Sequence, residues 1–317
     1  MDKRCRCGRT SFHNRNVSRG SPDEWRLPTS AELLRPRPLR RLAEPFRERD
    51  FLYGKYDDLL ALLQDRRRFD VIPLCRFNEA RGDERVIVGL RHDIDQRLDS
   101  ALVLGRLEHA RGLRATYFVL HTAAYYERRD ELLAALRRLQ DDYGHEIGWH
   151  NDLVSLQLTA GVDTRTYLAG ELAWLRTAGI DIRGVAAHGS YLAHRHGFVN
   201  EYFFADVAAP LPGFPNFDVV PLSGGSPLRI IKGTLAEFGF EYEANSLPHD
   251  RAFSDARFDG AGRRWHPART DVGAFQPGER VIMLVHPCYW DASFAAKFGR
   301  TTARLMRRGR RLPRARG

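Results

Sequence analysis

The sequence of 317 residues has no long hydrophobic run, few cysteines and very few lysines. It contains no window of about 18 apolar residues, so no transmembrane helix is predicted, and residues 1–25 are too polar for a signal peptide. Four cysteines spread over this length do not form a disulfide framework. Cys5 and Cys7 lack the second ligand pair of a zinc knuckle. We therefore expect a cytoplasmic protein without structural disulfides.

The formal net charge of +10 is concentrated at the two ends of the chain. Only four of the 50 basic residues are lysines, and the others are arginines. Residues 1–50 carry a net charge of +6 and residues 299–317 carry +8, so residues 51–298 carry −4. The body itself does not have the basic character of a nucleic-acid-binding domain, and no nucleic-acid partner is expected. Binding of nucleic acid through the arginine-rich ends remains an alternative.

Length and composition favour one large domain with appendages. The sequence is 43% hydrophobic and 28% charged, which is close to globular averages and allows a sizeable core. We predict an arginine-rich, partly disordered leader over residues 1–50, a body over residues 51–298 and an arginine-rich tail over residues 299–317.

Apolar runs of strand length alternate with stretches of helical period along the body. Strands are predicted at residues 86–90, 115–120 and 145–149, at a run ending with residues 185–187, and at residues 281–285. Helices are predicted at residues 56–69, 98–113, 130–139, 164–177 and 294–306. Residues 197–250 are expected to form strands and loops over the mouth of the domain. This alternation predicts a parallel sheet with helices outside it, as either a doubly wound sheet or a barrel.

Histidine and aspartate follow four of the predicted strands. Both architectures place their chemistry at the carboxyl ends of the strands, so these residues are candidates for one site. The four segments are Arg91-His92-Asp93-Ile94-Asp95, Trp149-His150-Asn151-Asp152, His188-Gly189-Ser190 and His286-Pro287-Cys288-Tyr289-Trp290. Each segment taken alone has an ordinary structural interpretation as a helix cap or a buried histidine. Their joint occurrence at four strand ends favours a metal-dependent hydrolase.

Asp93 and Asp95 are two residues apart, so an extended backbone points both carboxylates the same way. A divalent cation relieves the repulsion between two such groups, leaving one as a ligand and the other as a base. His150 has the position of a metal ligand, and His286 that of a general acid. Tyr289 and Trp290 are candidates for stacking against a substrate ring.

These segments resemble the polysaccharide deacetylase family, which is carbohydrate esterase family four. The matching pieces run in the family's order from Val86 to Trp290, and they are Arg91-His-Asp-Ile-Asp95, Gly112-Leu-Arg-Ala-Thr-Tyr-Phe118, Gly144-His-Glu-Ile-Gly-Trp-His150 and Leu284-Val-His-Pro287. The resemblance implies a divergent member with a distorted (β/α) barrel of fewer than eight repeats. It also implies a divalent metal, most often zinc, and hydrolysis of an acetyl group from a sugar.

The resemblance implies a role for each matching residue. Asp93 corresponds to the general base, Asp95 and His150 to metal ligands, and His286 to the acid that protonates the leaving group. The family's second histidine ligand, a few residues after the first, is missing here. His188 is the preferred replacement, and Asp152 is the alternative metal ligand.

We therefore expect a metal-dependent hydrolase that removes an acyl group from a sugar-containing small molecule or glycan precursor. Hydrolysis of a non-sugar linear or cyclic amide C–N bond is one alternative. A catalytically inactive carbohydrate-binding barrel is another, because a ligand of the family is missing.

Overall fold

The computed structural model describes residues 51–80, 84–196, 198–207, 219–220, 226–256, 265–266 and 270–309. The helices in these residues are α1 (Tyr53–Leu63), α2 (Leu98–Ala110), α3 (Asp130–Arg137), α4 (Leu153–Ala160), α5 (Thr164–Thr177), α6 (Tyr191–Arg195) and α7 (Phe294–Gly309). The strands are β1 (Phe69–Ile72), β2 (Val86–Ile94), β3 (Thr116–Leu120), β4 (Glu146–Asn151), β5 (Ile182–Ala187), β6 (Val219–Val220), β7 (Leu228–Arg229), β8 (Tyr242–Glu243), β9 (Arg251–Ser254) and β10 (Arg280–Val285).

Eight strands form a parallel sheet that is curved into an incomplete (β/α) barrel. Their order across the sheet is β8-β5-β4-β3-β2-β10-β9, and β1 pairs with the first half of β2. The two-stranded antiparallel hairpin β6–β7 is separate. Helices follow β2, β3, β4, β5 and β10 along the chain, and helices lie between parallel neighbours such as β2 and β3 or β3 and β4. The predicted fold class, a distorted barrel with fewer than eight repeats, is confirmed.

Strand β2 is buried along its whole length and separates two apolar layers. The larger layer lies between the sheet and the helices and includes Val88 and Leu90. The smaller layer fills the barrel and includes Ile87 and Phe118. Because side chains alternate along a strand, Arg91 and Asp93 lie on the barrel side, whereas His92 faces the helices.

The barrel interior needs glycine where an aromatic ring crosses a strand. A Cβ atom on Gly148 of β4 would lie 2.4 Å from the Phe118 ring, and one on Gly184 of β5 would lie 2.2 Å from the Tyr242 ring. Large side chains on β3 and β8 therefore fill the space that the small residues of β4 and β5 leave. This interdigitation closes the barrel interior below the strand ends.

A buried polar cluster joins β2 to α1 and α2 on the helix side of the sheet. Glu108 of α2 accepts hydrogen bonds from the hydroxyls of Tyr56 and Tyr117, and it lies 2.6 Å from His92 Nε2. Burial alone would raise the pKa of Glu108, but the neighbouring His92 holds that pKa below its usual range. All these side chains are buried. They hold the helix side of β2, the strand that carries Asp93 and leads into Asp95.

The structure differs from the predicted elements at several places. The helix predicted over residues 56–69 ends at Leu63, and Phe69 begins β1, because its backbone pairs with Val86. Helix α4 begins directly after Asp152 and was not predicted. Strand β9 lies just after the segment 197–250 and was not predicted, whereas that segment contains the short strands β6, β7 and β8.

The predicted leader, residues 1–50, lies outside the described residues, as does the end of the predicted tail. Helix α7 crosses the predicted boundary between body and tail at residue 299. The division into leader, barrel and tail stays a prediction. In the described part of the chain, no helix has both the length and the apolar composition that a membrane span requires.

Candidate metal and catalytic site

Strand ends bring the predicted site residues together at one edge of the barrel. Asp93 is the second-to-last residue of β2, and Asp95 follows the end of that strand. His150 lies near the end of β4. His188 and His286 are the first residues after β5 and β10. The four strands β2, β4, β5 and β10 thus each contribute to one cluster at their carboxyl ends, where such barrels hold their chemistry.

Three of these side chains have the spacing of a tetrahedral metal site. Asp95 Oδ1 lies 3.3 Å from His150 Nε2 and 3.5 Å from His188 Nδ1, and the two nitrogens are 3.3 Å apart. Zinc bonds of about 2.1 Å in tetrahedral geometry place ligand atoms about 3.4 Å apart. Asp95 Oδ1 is buried and has no hydrogen-bond partner among the described residues. The donor set and its spacing therefore fit a divalent ion such as zinc.

Backbone contacts orient the two histidines toward this point. His150 Nδ1 lies 2.9 Å from the carbonyl oxygen of Ala186, which leaves Nε2 for the cluster. The His188 amide donates to the carbonyl of Asn151 at 2.8 Å, and the carbonyl of His188 accepts from the Asn200 amide at 2.8 Å. The imidazole of His150 is thus held by the backbone of β5, and the backbone of His188 is held by Asn151 and by the Asn200 side chain.

Asp152, the alternative ligand, is engaged elsewhere. Its Oδ2 accepts a hydrogen bond from Thr122 at 2.9 Å, and its Oδ1 accepts one from Asn200 at 3.1 Å. Its backbone N–H donates to His121 Nε2 at 3.1 Å. Burial and the nearby His150 and His188 lower the pKa of His121 to about 3, so His121 is neutral and can accept. The structure brings His188, and not Asp152, into the triad.

The predicted base, Asp93, is paired with an arginine that the sequence interpretation missed. Arg91 Nε donates to Asp93 Oδ1 at 2.8 Å, and Arg91 Nη2 donates to Asp93 Oδ2 at 2.9 Å. Both side chains are buried. Burial favours the neutral carboxyl, but the charges of Arg91 and His150 outweigh it and keep the pKa of Asp93 below its usual range. The spacing of two residues on a strand was the available signal, because it places both side chains on one face.

The predicted acid, His286, has a buried carboxylate behind it. Asp255 Oδ1 lies 2.6 Å from His286 Nδ1, and Asp255 Oδ2 accepts the His286 backbone N–H at 2.8 Å. Burial alone would lower the pKa of His286, but the charge and hydrogen bond of Asp255 raise it to about 9. His286 Nε2 points toward the triad and lies 3.9 Å from Asp95 Oδ2. Sequence reasoning missed Asp255, which follows the undetected strand β9.

The two aromatic candidates for substrate binding differ in position. Trp290 is fully buried, packs edge-on against Phe51 and Tyr56, and donates its indole N–H to Asp255 Oδ2 at 3.1 Å. Its ring has no exposed face for a sugar to stack on. Tyr289 is only half-buried, and its ring centre lies 5.4 Å from that of His286. Of the two, only Tyr289 has surface beside the site.

Comparison with known proteins finds similar solved structures. No family model and no curated protein matches the chain. A family 4 carbohydrate esterase from Bacillus anthracis shares 16% identity, with 80% of this chain and 86% of that chain covered and a TM-score of 0.31. A mutant of a CE4 family pseudoenzyme with restored enzymatic activity shares 13% identity, with 70% and 63% covered and a TM-score of 0.36.

Both neighbours are family 4 carbohydrate esterases, the family that the motifs resemble. The names of these neighbours agree with the resemblance of the motifs. The second match spans less than two thirds of that neighbour's length. Likeness at these TM-scores adds nothing on chemistry, which rests on the site residues themselves.

Proposed function

We propose that the protein is a metal-dependent hydrolase that removes an acyl group, first of all acetyl, from a sugar-containing substrate or glycan precursor. The observation that supports this most directly is the convergence of a tetrahedrally spaced Asp/His/His triad with a separate aspartate and a separate histidine. Asp95, His150 and His188 would hold the ion. Two nitrogen ligands and one carboxylate at this spacing suit zinc.

The charges of the remaining two residues suit hydrolysis. When bound, a divalent ion would lower the pKa of a water molecule and polarise an acyl oxygen. At neutral pH Asp93 is ionised, so it can accept the proton of the attacking water. His286 is protonated because its pKa is raised to about 9, so it can donate a proton to the leaving nitrogen or oxygen.

Arg91 and Asp255 position Asp93 and His286, respectively. Arg91 occupies one lone pair on each oxygen of Asp93 and so fixes the direction of the carboxylate. Asp255 fixes the ring of His286 and stabilises its protonated form. Trp290 supports Asp255 from the core, and we propose this positioning role for it in place of substrate stacking.

Metal analysis and acetate release test the proposal together. Purified protein is loaded with zinc, nickel, cobalt or manganese and assayed against a panel of acetylated sugars and nucleotide sugars. Asp93→Asn is expected to keep the metal and lose turnover, whereas Asp95→Asn is expected to lose both. Equal metal content and equal activity of the two variants would contradict these roles. Sugar binding without acetate release would favour the inactive binding barrel, and release only from non-sugar amides would favour the C–N hydrolase.

A further inference from the structure

Asn245 has an exposed amide that is connected to the proposed base. Its Oδ1 accepts a hydrogen bond from Arg91 Nη1 at 2.6 Å, and its Nδ2 donates to Glu201 Oε1 at 2.9 Å. The same Arg91 holds both oxygens of Asp93. One buried guanidinium therefore separates this amide from the group proposed to activate water.

The backbone fixes Asn245 and Glu201 to the edge that carries the metal ligands. Asn245 belongs to the turn Ala244–Ser246, directly after β8, and β8 pairs with β5, which leads into His188. Glu201 belongs to the turn Asn200–Phe203. The side chain of Asn200 binds the carbonyl of His188. Both residues are therefore placed by the same elements that place His188.

The pair has hydrogen-bonding capacity that the fold does not use. A primary amide has two N–H donors, and among the described residues Glu201 is the acceptor for Asn245. A carboxylate can accept several hydrogen bonds, and that of Glu201 accepts one from Asn245 and one from its own backbone N–H. An amide donor and a carboxylate acceptor placed side by side suit a hydroxyl group, which needs one of each.

The charges around the pair favour an uncharged ligand. Asp93 already neutralises Arg91, and Glu243 adds a further carboxyl next to Glu201 and Arg91. Burial and the neighbouring Glu201 raise the pKa of Glu243 to about 7. Burial also raises the pKa of Glu201. The surroundings therefore offer no spare positive charge to a phosphate.

We propose that Asn245 and Glu201 form a subsite that binds hydroxyl groups of an uncharged sugar ring beside the acyl group to be hydrolysed. This subsite rests on the proposed function and specifies its substrate: a neutral sugar at this position and not a sugar phosphate.

The test measures sugar binding separately from turnover. The zinc-loaded His286→Ala protein, in which turnover is slow, is titrated calorimetrically with tri-N-acetylchitotriose, an uncharged acetylated sugar. Adding Asn245→Ala is expected to raise the Kd of this sugar roughly three- to tenfold, which is the loss of about one neutral hydrogen bond. The zinc affinity is expected to stay the same. The matched control is Asn78→Ala, an exposed asparagine beside the turn Leu74–Arg76 at the opposite end of the barrel, and it is expected to leave the Kd unchanged.

A second variant separates direct binding from an effect through Arg91. Asn245→Asp keeps an acceptor for Arg91 but has no N–H donor, so the subsite predicts a raised Kd for the sugar. A Kd equal to that of the parent protein in both Asn245 variants, or no sugar binding at all, would overturn the subsite. In the protein with His286 intact, absence of acetate release from every acylated sugar would instead count against the proposed function, and measured sugar binding would still decide the subsite.

Discussion

His188→Ala tests the proposed third metal ligand, which follows a different strand from the one that carries His150. The side chain supplies Nδ1 at 3.3 Å from His150 Nε2 and 3.5 Å from Asp95 Oδ1. The His188 side chain is 22% exposed, so its replacement by alanine leaves a gap that water can fill. The variant is therefore expected to fold and to keep two of its three protein ligands.

The magnitude follows from the number of ligands. Structural zinc sites with four protein ligands have apparent binding free energies of about 10–16 kcal/mol, or about 2.5–4 kcal/mol per ligand. A water in the place of His188 recovers part of that amount. Zinc affinity is therefore expected to fall roughly 100-fold, which corresponds to about 2.7 kcal/mol. Competition with a chromogenic zinc chelator measures this ratio directly.

Two further variants serve as controls for His188→Ala. His109→Ala removes an exposed histidine in the last turn of α2, away from the strand ends, and is expected to leave zinc affinity unchanged. Asp152→Asn removes the charge of the alternative ligand and keeps an oxygen acceptor for Thr122. The reasoning is refuted if zinc affinity is unchanged in His188→Ala but falls strongly in Asp152→Asn.

Three further substitutions probe the charges and packing around the site. The pKa of His286 is raised from 6.5 to about 9, so its pairing with Asp255 stabilises the fold fully below pH 6.5, and this contribution is lost as pH rises through 9. Metal-free wild type should therefore lose up to roughly 3 kcal/mol of unfolding free energy between pH 6 and 10 from this pair, and Asp255→Asn should remove most of that slope in urea titrations. Glu108→Ala should cost about 3–5 kcal/mol in the same assay because it leaves buried donors without an acceptor, and a loss under 1 kcal/mol would contradict the buried cluster. Gly148→Ala should cost about 1–3 kcal/mol because its Cβ would lie 2.4 Å from an aromatic ring, whereas Gly54→Ala, with open space around it, should not destabilise.

The sequence predicts the barrel and the strand-end residues because both depend on local pattern. The run from Val86 to Leu90 is apolar throughout, as a strand buried on both sides must be, and the polar residues begin where it ends. Parallel strands bring their carboxyl ends to one edge, so Asp93, His150 and His286 could be assigned to one site before any distance was known.

The supporting residues could not be predicted in the same way. Asp255 lies 31 residues before His286 in the chain, and its contact depends on the pairing of β9 with β10. Asn245 reaches Arg91 across 154 residues, and its short turn has no periodic pattern. Long-range pairing of this kind leaves no trace in composition or period.

Burial explains the difference between the expected and observed places of Trp290. The sequence shows an aromatic residue after a strand-end histidine, and either a mouth or a core position satisfies that pattern. The turn Pro287–Tyr289 directs the chain back toward α1, so the indole enters the layer between Phe51 and Tyr56. Its N–H then needs a buried acceptor, and Asp255 provides one.

If His150 and His188 are both metal ligands, as proposed, metal affinity depends on how β4 and β5 pair. The register between these strands shifts between Ile147 and Trp149, and after the shift His150 lies opposite Ala186. The carbonyl of Ala186 is the acceptor that orients His150, and the chain reaches His188 two residues later. If this irregularity were removed, a register change of one residue would turn one imidazole away from the other, because side chains alternate across a strand. The geometry of the triad is thus a consequence of strand pairing as much as of the residues that form it.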